Sequence, residues 1–167
     1  ALCCKKGGLI IQRHDEIKQV LASLCSMAFG HFKVIDEPNI HPSLTLKENQ
    51  NDKNNNNNKP TNTNNTSRAD KGDERGDLLV RNFWTNCNDA IFDVRVTDLD
   101  GATNKSRSQE AVLKAHEREK KNVYLQACIK QRRHFTPFVV STDGVLGEEA
   151  KRTLQRIACT LAKKWNK

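Results

Sequence analysis

The chain has 167 residues, enough for one modest domain, and only 36% of them are hydrophobic because one internal stretch contributes almost nothing apolar. Its 28 Lys and Arg outnumber its 20 Asp and Glu, for a formal net charge of +8. That balance favours polyanions, nucleic acid foremost, as partners, and the lack of any apolar run of membrane-spanning length excludes a helical membrane span.

In chain order, Ile10, His14, Ile17, Leu21, Leu24, Cys25 and Ala28 recur at helical spacing, and Gly30 follows as a stop. His14 lies on that apolar stripe beside Arg13 with nothing else at metal-ligand spacing, so it is expected to be a core histidine rather than a ligand. Val34 and Ile35 suggest a short strand ended by Asp36, Glu37 and Pro38, with Glu37 a weak acidic candidate. Residues 47 to 76 are rich in asparagine and almost free of apolar side chains, which predicts a disordered insertion. An insertion is favoured over an interdomain linker because the 46 residues before it hold about one helix and one strand, too little core to fold alone. Residues 9 to 46 and 77 to 167 are therefore expected to form a single domain.

Residues 77 to 98, DLLVRNFWTNCNDAIFDVRVTD, read as two sequential strands. In the second, Ala90, Phe92, Val94 and Val96 make a core face, while Ile91, Asp93 and Arg95 share the other, which is expected to be exposed. Asp77 opens the first strand, with Leu78 and Val80 on one face and Leu79 on the other. Antiparallel neighbours lie about 5 Å apart, so Asp77 and Asp93 can approach closely enough to share a hard divalent cation. Asp98 and Asp100 read as turn formers before Gly101.

A long helix is predicted from about Ser108 to Lys130, with Leu113, His116, Lys120, Tyr124, Ala127 and Cys128 on one stripe. Residues 105 to 133 concentrate the basic excess, nine Lys and Arg against three glutamates. Arg132, Arg133 and His134 form a basic terminus that suits a phosphate backbone and equally the negative end of the helix dipole. Phe135 to Thr142 reads as a buried strand closed by Asp143 and Gly144. Glu148 and Glu149 favour the start of a last helix whose apolar face comprises Ala150, Leu154, Ile157, Ala158, Leu161 and Trp165. The expected fold is α/β (α+β), a central mixed sheet of about four strands flanked by helices in the order αβ(loop)ββαβα. Cys25, Cys128 and Cys159 fall among apolar neighbours on these helices, pointing to a reducing, intracellular compartment.

An aspartate opening one strand, an acidic-x-basic triplet on the next and a helix after it resemble the PD-(D/E)xK restriction-endonuclease-like core. The strings GGLIIQRHDEI, VIDEP, GDLLVRNFW, DVRVTD, EREKKNVYLQAC and RRHFTPFVVSTDG resemble the domain downstream of the reverse transcriptase in non-LTR retrotransposon polyproteins, over nearly the whole chain outside the insertion. The resemblance implies a domain that nicks target DNA by metal-dependent hydrolysis, leaving a 3′ hydroxyl, in the nucleus. It implies Mg2+ or Mn2+ at Asp77 and Asp93, with Arg95 as the basic member of the triplet and Gly76 where the motif has proline. Because arginine cannot act as a base, the working lysine is expected on the following helix as Lys120, with Lys121 as the fallback. Lys121, Tyr124, Arg132, Arg133 and His134 are the expected nucleic-acid contacts. RNA or a reverse-transcriptase domain are further partners the resemblance suggests. Residues 1 to 8, with Cys3 or Cys4, look like the end of a preceding zinc knuckle whose other ligands are missing, so zinc is not expected. The alternative is a catalytically decayed relic that keeps the fold and the basic face.

Overall fold

A computed structural model describes residues 7–40, 75–101, 104 and 106–166. Helix α1 (Gly7–Phe29) leads through a 3-10 turn (His31–Lys33) into strand β1 (Val34–Asp36). Strands β2 (Leu78–Thr85) and β3 (Asn88–Thr97) follow, then helix α2 (Gln109–Lys130), strand β4 (His134–Ser141) and helix α3 (Glu148–Trp165). The four strands form one mixed sheet in the order β1-β2-β3-β4, antiparallel except for the parallel pair of β3 and β4. A parallel pair needs a crossover, and α2 supplies it. The mixed α/β architecture expected from the pattern is present. Cys3, Cys4 and the asparagine tract lie outside the described residues, as does nearly all of the expected insertion.

Alternation along the strands sorts the core into two layers. Leu78, Val80, Ala90, Phe92, Val94 and Phe138 pack against Leu21, Cys25 and Ala28 of α1 and Ala150, Ile157 and Leu161 of α3. Phe83 anchors this layer, its ring 4.9 Å from those of Phe29 and Phe92 and 4.8 Å from Trp84. On the opposite face Leu79, Ile91 and Phe135 meet Cys128 and Tyr124 of α2, and Val112 and Leu113 cover Val139. Helices α1 and α3 thus lie on one side of the sheet and α2 on the other.

Several expectations change at this level. The face carrying Ile91 and Asp93 is not exposed, because α2 covers it: Ile91 is fully buried and Asp93 is 7% exposed. Helix α1 begins at Gly7, inside the stretch expected to belong to a preceding knuckle. Arg75 and Gly76 belong to the fold rather than to the insertion, since Arg75 bridges Asn39 and the Gly76 amide donates to the Pro38 carbonyl at 2.9 Å. Cys159 and Trp165 are exposed, so the apolar face of α3 ends at Leu161. Cys25 and Cys128 are buried free thiols, as expected, and burial pushes Cys25 up to about 12.

Local sequence explains the ends of α2 and α3. Ser108 caps α2, its Oγ accepting from the Ala111 amide at 3.3 Å. The N-cap of helix α3 is Gly147, which has no side chain to cap it, and Glu117 of α2 accepts the Glu149 amide at 2.9 Å instead. Asp98 Oδ1 accepts the Asp100 amide at 3.0 Å, the turn role expected of it. Among the described residues, no helix is long and apolar enough to cross a membrane.

Candidate active site

Asp77 sits one residue before β2, and its backbone is held from both sides. Its amide donates to the Phe92 carbonyl at 3.0 Å, and its carbonyl accepts the Glu37 amide at 3.1 Å. The antiparallel register, in which Leu78 pairs with Phe92, carries Asp77 to the Asp93 end of the hairpin, where the two carboxylates are near enough to feel each other's charge. At this end β2 no longer supplies ladder partners, and the Asp77 carboxylate takes over: its Oδ2 accepts the Val94 amide at 2.5 Å.

Gly76 is required by the same close approach. A Cβ at this position would lie 2.4 Å from Cγ2 of the buried Ile91. Proline would fit worse than the motif suggests, since the Gly76 amide is spent on Pro38. Gly76→Ala is expected to cost about 1–3 kcal/mol through overpacking, seen as a lower urea midpoint with an unchanged slope.

His14 corrects one expectation. It is not a core histidine: from α1 its Nε2 reaches Asp77 Oδ2 at 3.2 Å while Nδ1 meets Asp15 Oδ1 at 3.1 Å. Burial alone would lower its pKa, but the two carboxylates together outweigh that and raise it. A carboxylate on each ring nitrogen suits the doubly protonated imidazolium. The only sequence signal was the polar run Arg13, His14, Asp15 within an otherwise apolar helix face.

Lys120 reaches the site as its helical stripe predicts. Its Nζ lies 2.8 Å from Asp93 Oδ2, and its ammonium stands 5.6 Å from the centre of the Tyr124 ring. Burial raises the Asp93 pKa, outweighing Lys120, which lowers it; Asp77 adds a further raising influence and His14 a lowering one. All four side chains therefore act on one small region.

The remaining candidates go elsewhere. Arg95 shares the Asp93 face, yet its guanidinium is engaged by Glu119 of α2 at 2.9 Å. Lys121, the fallback, points instead to α3 and pairs with Glu149. Tyr124 packs on Phe135, ring centres 5.4 Å apart, next to Lys120. Arg133 donates to the Asn39 carbonyl at 3.3 Å, and Arg132 takes φ 56 in the turn that ends α2. His134 pairs with Ala90 in the parallel register, which puts it on the α1 and α3 side of the sheet, away from Asp93. Glu37 is paired with Lys18 at 3.5 Å and Arg75 at 3.8 Å and does not join the aspartates. Glu119 was missed by sequence reasoning; its one signal was an acid set in a basic helix, three residues after His116.

Among the described residues, no group of three or more His, Cys, Asp and Glu side chains is placed to hold a metal ion. Asp77 and Asp93 remain a pair of hard oxygen donors whose contacts above use Oδ2 and leave Oδ1 out. Two carboxylates fit Mg2+, which keeps several waters and takes one or two protein carboxylates plus substrate phosphate. Comparison with protein-family models and with curated proteins finds no match to this chain.

Proposed function

We propose that this chain is a Mg2+- or Mn2+-dependent DNA endonuclease domain with a restriction-endonuclease-like core, derived from a retrotransposon polyprotein and acting on nuclear DNA. The observation that carries the reading is the closeness of Asp77, just ahead of β2, to Asp93 of β3, with the Lys120 ammonium 2.8 Å from Asp93. The net charge of +8 adds support, since it favours a polyanionic substrate.

In this reading Asp77 and Asp93 would hold a divalent cation, which would supply a more acidic bound water and offset charge on the phosphate. Lys120 stands beside the same carboxylate and steadies the charge that builds on phosphorus oxygens during attack. His14 and the Val94 amide together fix the Asp77 carboxylate. Water adds to phosphorus and the P–O3′ bond breaks, leaving a 3′ hydroxyl and a 5′ phosphate.

Purified protein with supercoiled plasmid and Mg2+ is expected to give nicked circles that are absent in EDTA and in Asp77→Asn. Equal nicking by Asp77→Asn overturns the reading. Salt-dependent DNA binding without metal-dependent cleavage selects the decayed, binding-only relic instead.

A further inference from the structure

We propose that Arg95 of β3 and His116 of α2 form a subsite for a nucleic-acid backbone phosphate next to the scissile one, which Glu119 fills in the free protein. The subsite's position rests on the endonuclease reading above; its chemistry does not.

A single carboxylate oxygen of Glu119, Oε2, collects both Arg95 NH1 at 2.9 Å and His116 Nδ1 at 3.3 Å. Donors from two different elements therefore converge on one anionic oxygen, the arrangement a phosphate oxygen demands. Glu119 itself is a weak occupant. Its side chain is 60% exposed, and exposed ion pairs of this kind contribute little to stability, so a better anion displaces it readily. A phosphodiester offers two non-bridging oxygens to the guanidinium fork and gains counterion release, which a tethered carboxylate cannot.

Position supplies the rest. Arg95 follows Asp93 by two residues on the same strand face, so the two are about 6.6 Å apart along β3, a span comparable to one nucleotide of backbone. A strand whose scissile phosphate lies at Asp77 and Asp93 therefore brings a neighbouring phosphate to Arg95. The arginine that stands in the lysine position of the triplet thus binds substrate rather than acting at the reacting water, and Lys120 is left to serve the reacting phosphate.

The test is the affinity for a short DNA duplex by fluorescence anisotropy, in EDTA so that no cleavage occurs, with melting temperatures confirming that each variant is folded. Glu119→Gln frees Arg95 and is expected to tighten binding by about three- to tenfold and to steepen the salt dependence by about one phosphate. The gain is expected to vanish when Arg95→Ala is added. Glu110→Gln, which removes an exposed carboxylate from the first turn of the same helix, is expected to change little. No tightening in Glu119→Gln, a gain that survives loss of Arg95, or an equal gain in Glu110→Gln overturns the proposal. Failure to nick plasmid with Mg2+ overturns the endonuclease reading while leaving this subsite standing, and absence of duplex binding in every variant overturns both.

Discussion

Asp93→Asn is expected to lower Mg2+-dependent nicking by roughly a thousandfold or more while leaving the protein at least as stable as the wild type at neutral pH. On the endonuclease reading, the loss of activity follows from removing one of the two proposed oxygen donors to the cation, Asp93 on β3 beside Asp77 just ahead of β2. The stability follows from burial. Asp93 is among the few charged groups in the core, and burial raises its pKa above the ordinary 3.8 despite the ammonium beside it. An acid whose folded pKa is raised binds its proton more tightly when folded, so its ionisation costs stability. That cost is absent below the unfolded value, grows as pH rises through the raised folded value, and is complete above it. Asparagine keeps the shape and never pays it, while Lys120 is part-exposed and can turn its ammonium to water. Melting curves from about pH 4 upward are expected to separate, the variant gaining on the wild type as pH rises. A variant clearly less stable at neutral pH contradicts the burial argument.

Features that depend on one or two neighbouring elements were legible in the sequence. The alternation of DAIFDVRV fixes which side chains of β3 share a face, and the hairpin register then brings Asp77 to the Asp93 end of that strand. The helical stripe through His116, Lys120 and Tyr124 likewise predicts that Lys120 turns toward the aspartates, and it does. Features set by the docking of distant elements were not. The covering of Asp93 depends on where the crossover helix lies over the sheet, which periodicity does not determine. Lys120 and Lys121 differ by about 100° around the helix axis, so one meets Asp93 of β3 and the other α3, but only the packed structure says which neighbour each meets. His14 looked apolar by its stripe because helical spacing cannot tell that the early turns of α1 pass the open end of β2, where Asp77 waits. Alternation gives the face of Arg95 but not its partner, since Glu119 comes from 24 residues away on another element.

Lys120→Met is expected to destabilise the protein by about 2–4 kcal/mol and to abolish nicking together with it. The methionine keeps the aliphatic stem beside Tyr124, so packing is nearly preserved and the effect reports the lost charge. What remains is a buried Asp93 carboxylate without its nearest cation, and the penalty for such an orphan exceeds the net worth of the pair that protected it. Adding Asp93→Asn removes the orphan, so the double variant is expected to recover most of the lost stability, a coupling that urea unfolding of all four proteins measures directly. Lys121→Met provides the contrast: its partner Glu149 also holds the start of α3, but Lys121 is more exposed, and the loss is expected to stay near 1 kcal/mol with nicking intact. Lys120→Arg then separates structure from chemistry. Its guanidinium can still neutralise Asp93 and restore stability, whereas the compact ammonium that the endonuclease reading sets beside the phosphate is not reproduced by a planar fork, so on that reading nicking is expected to stay low. Full recovery of nicking in Lys120→Arg would reduce Lys120 to a counterion for Asp93.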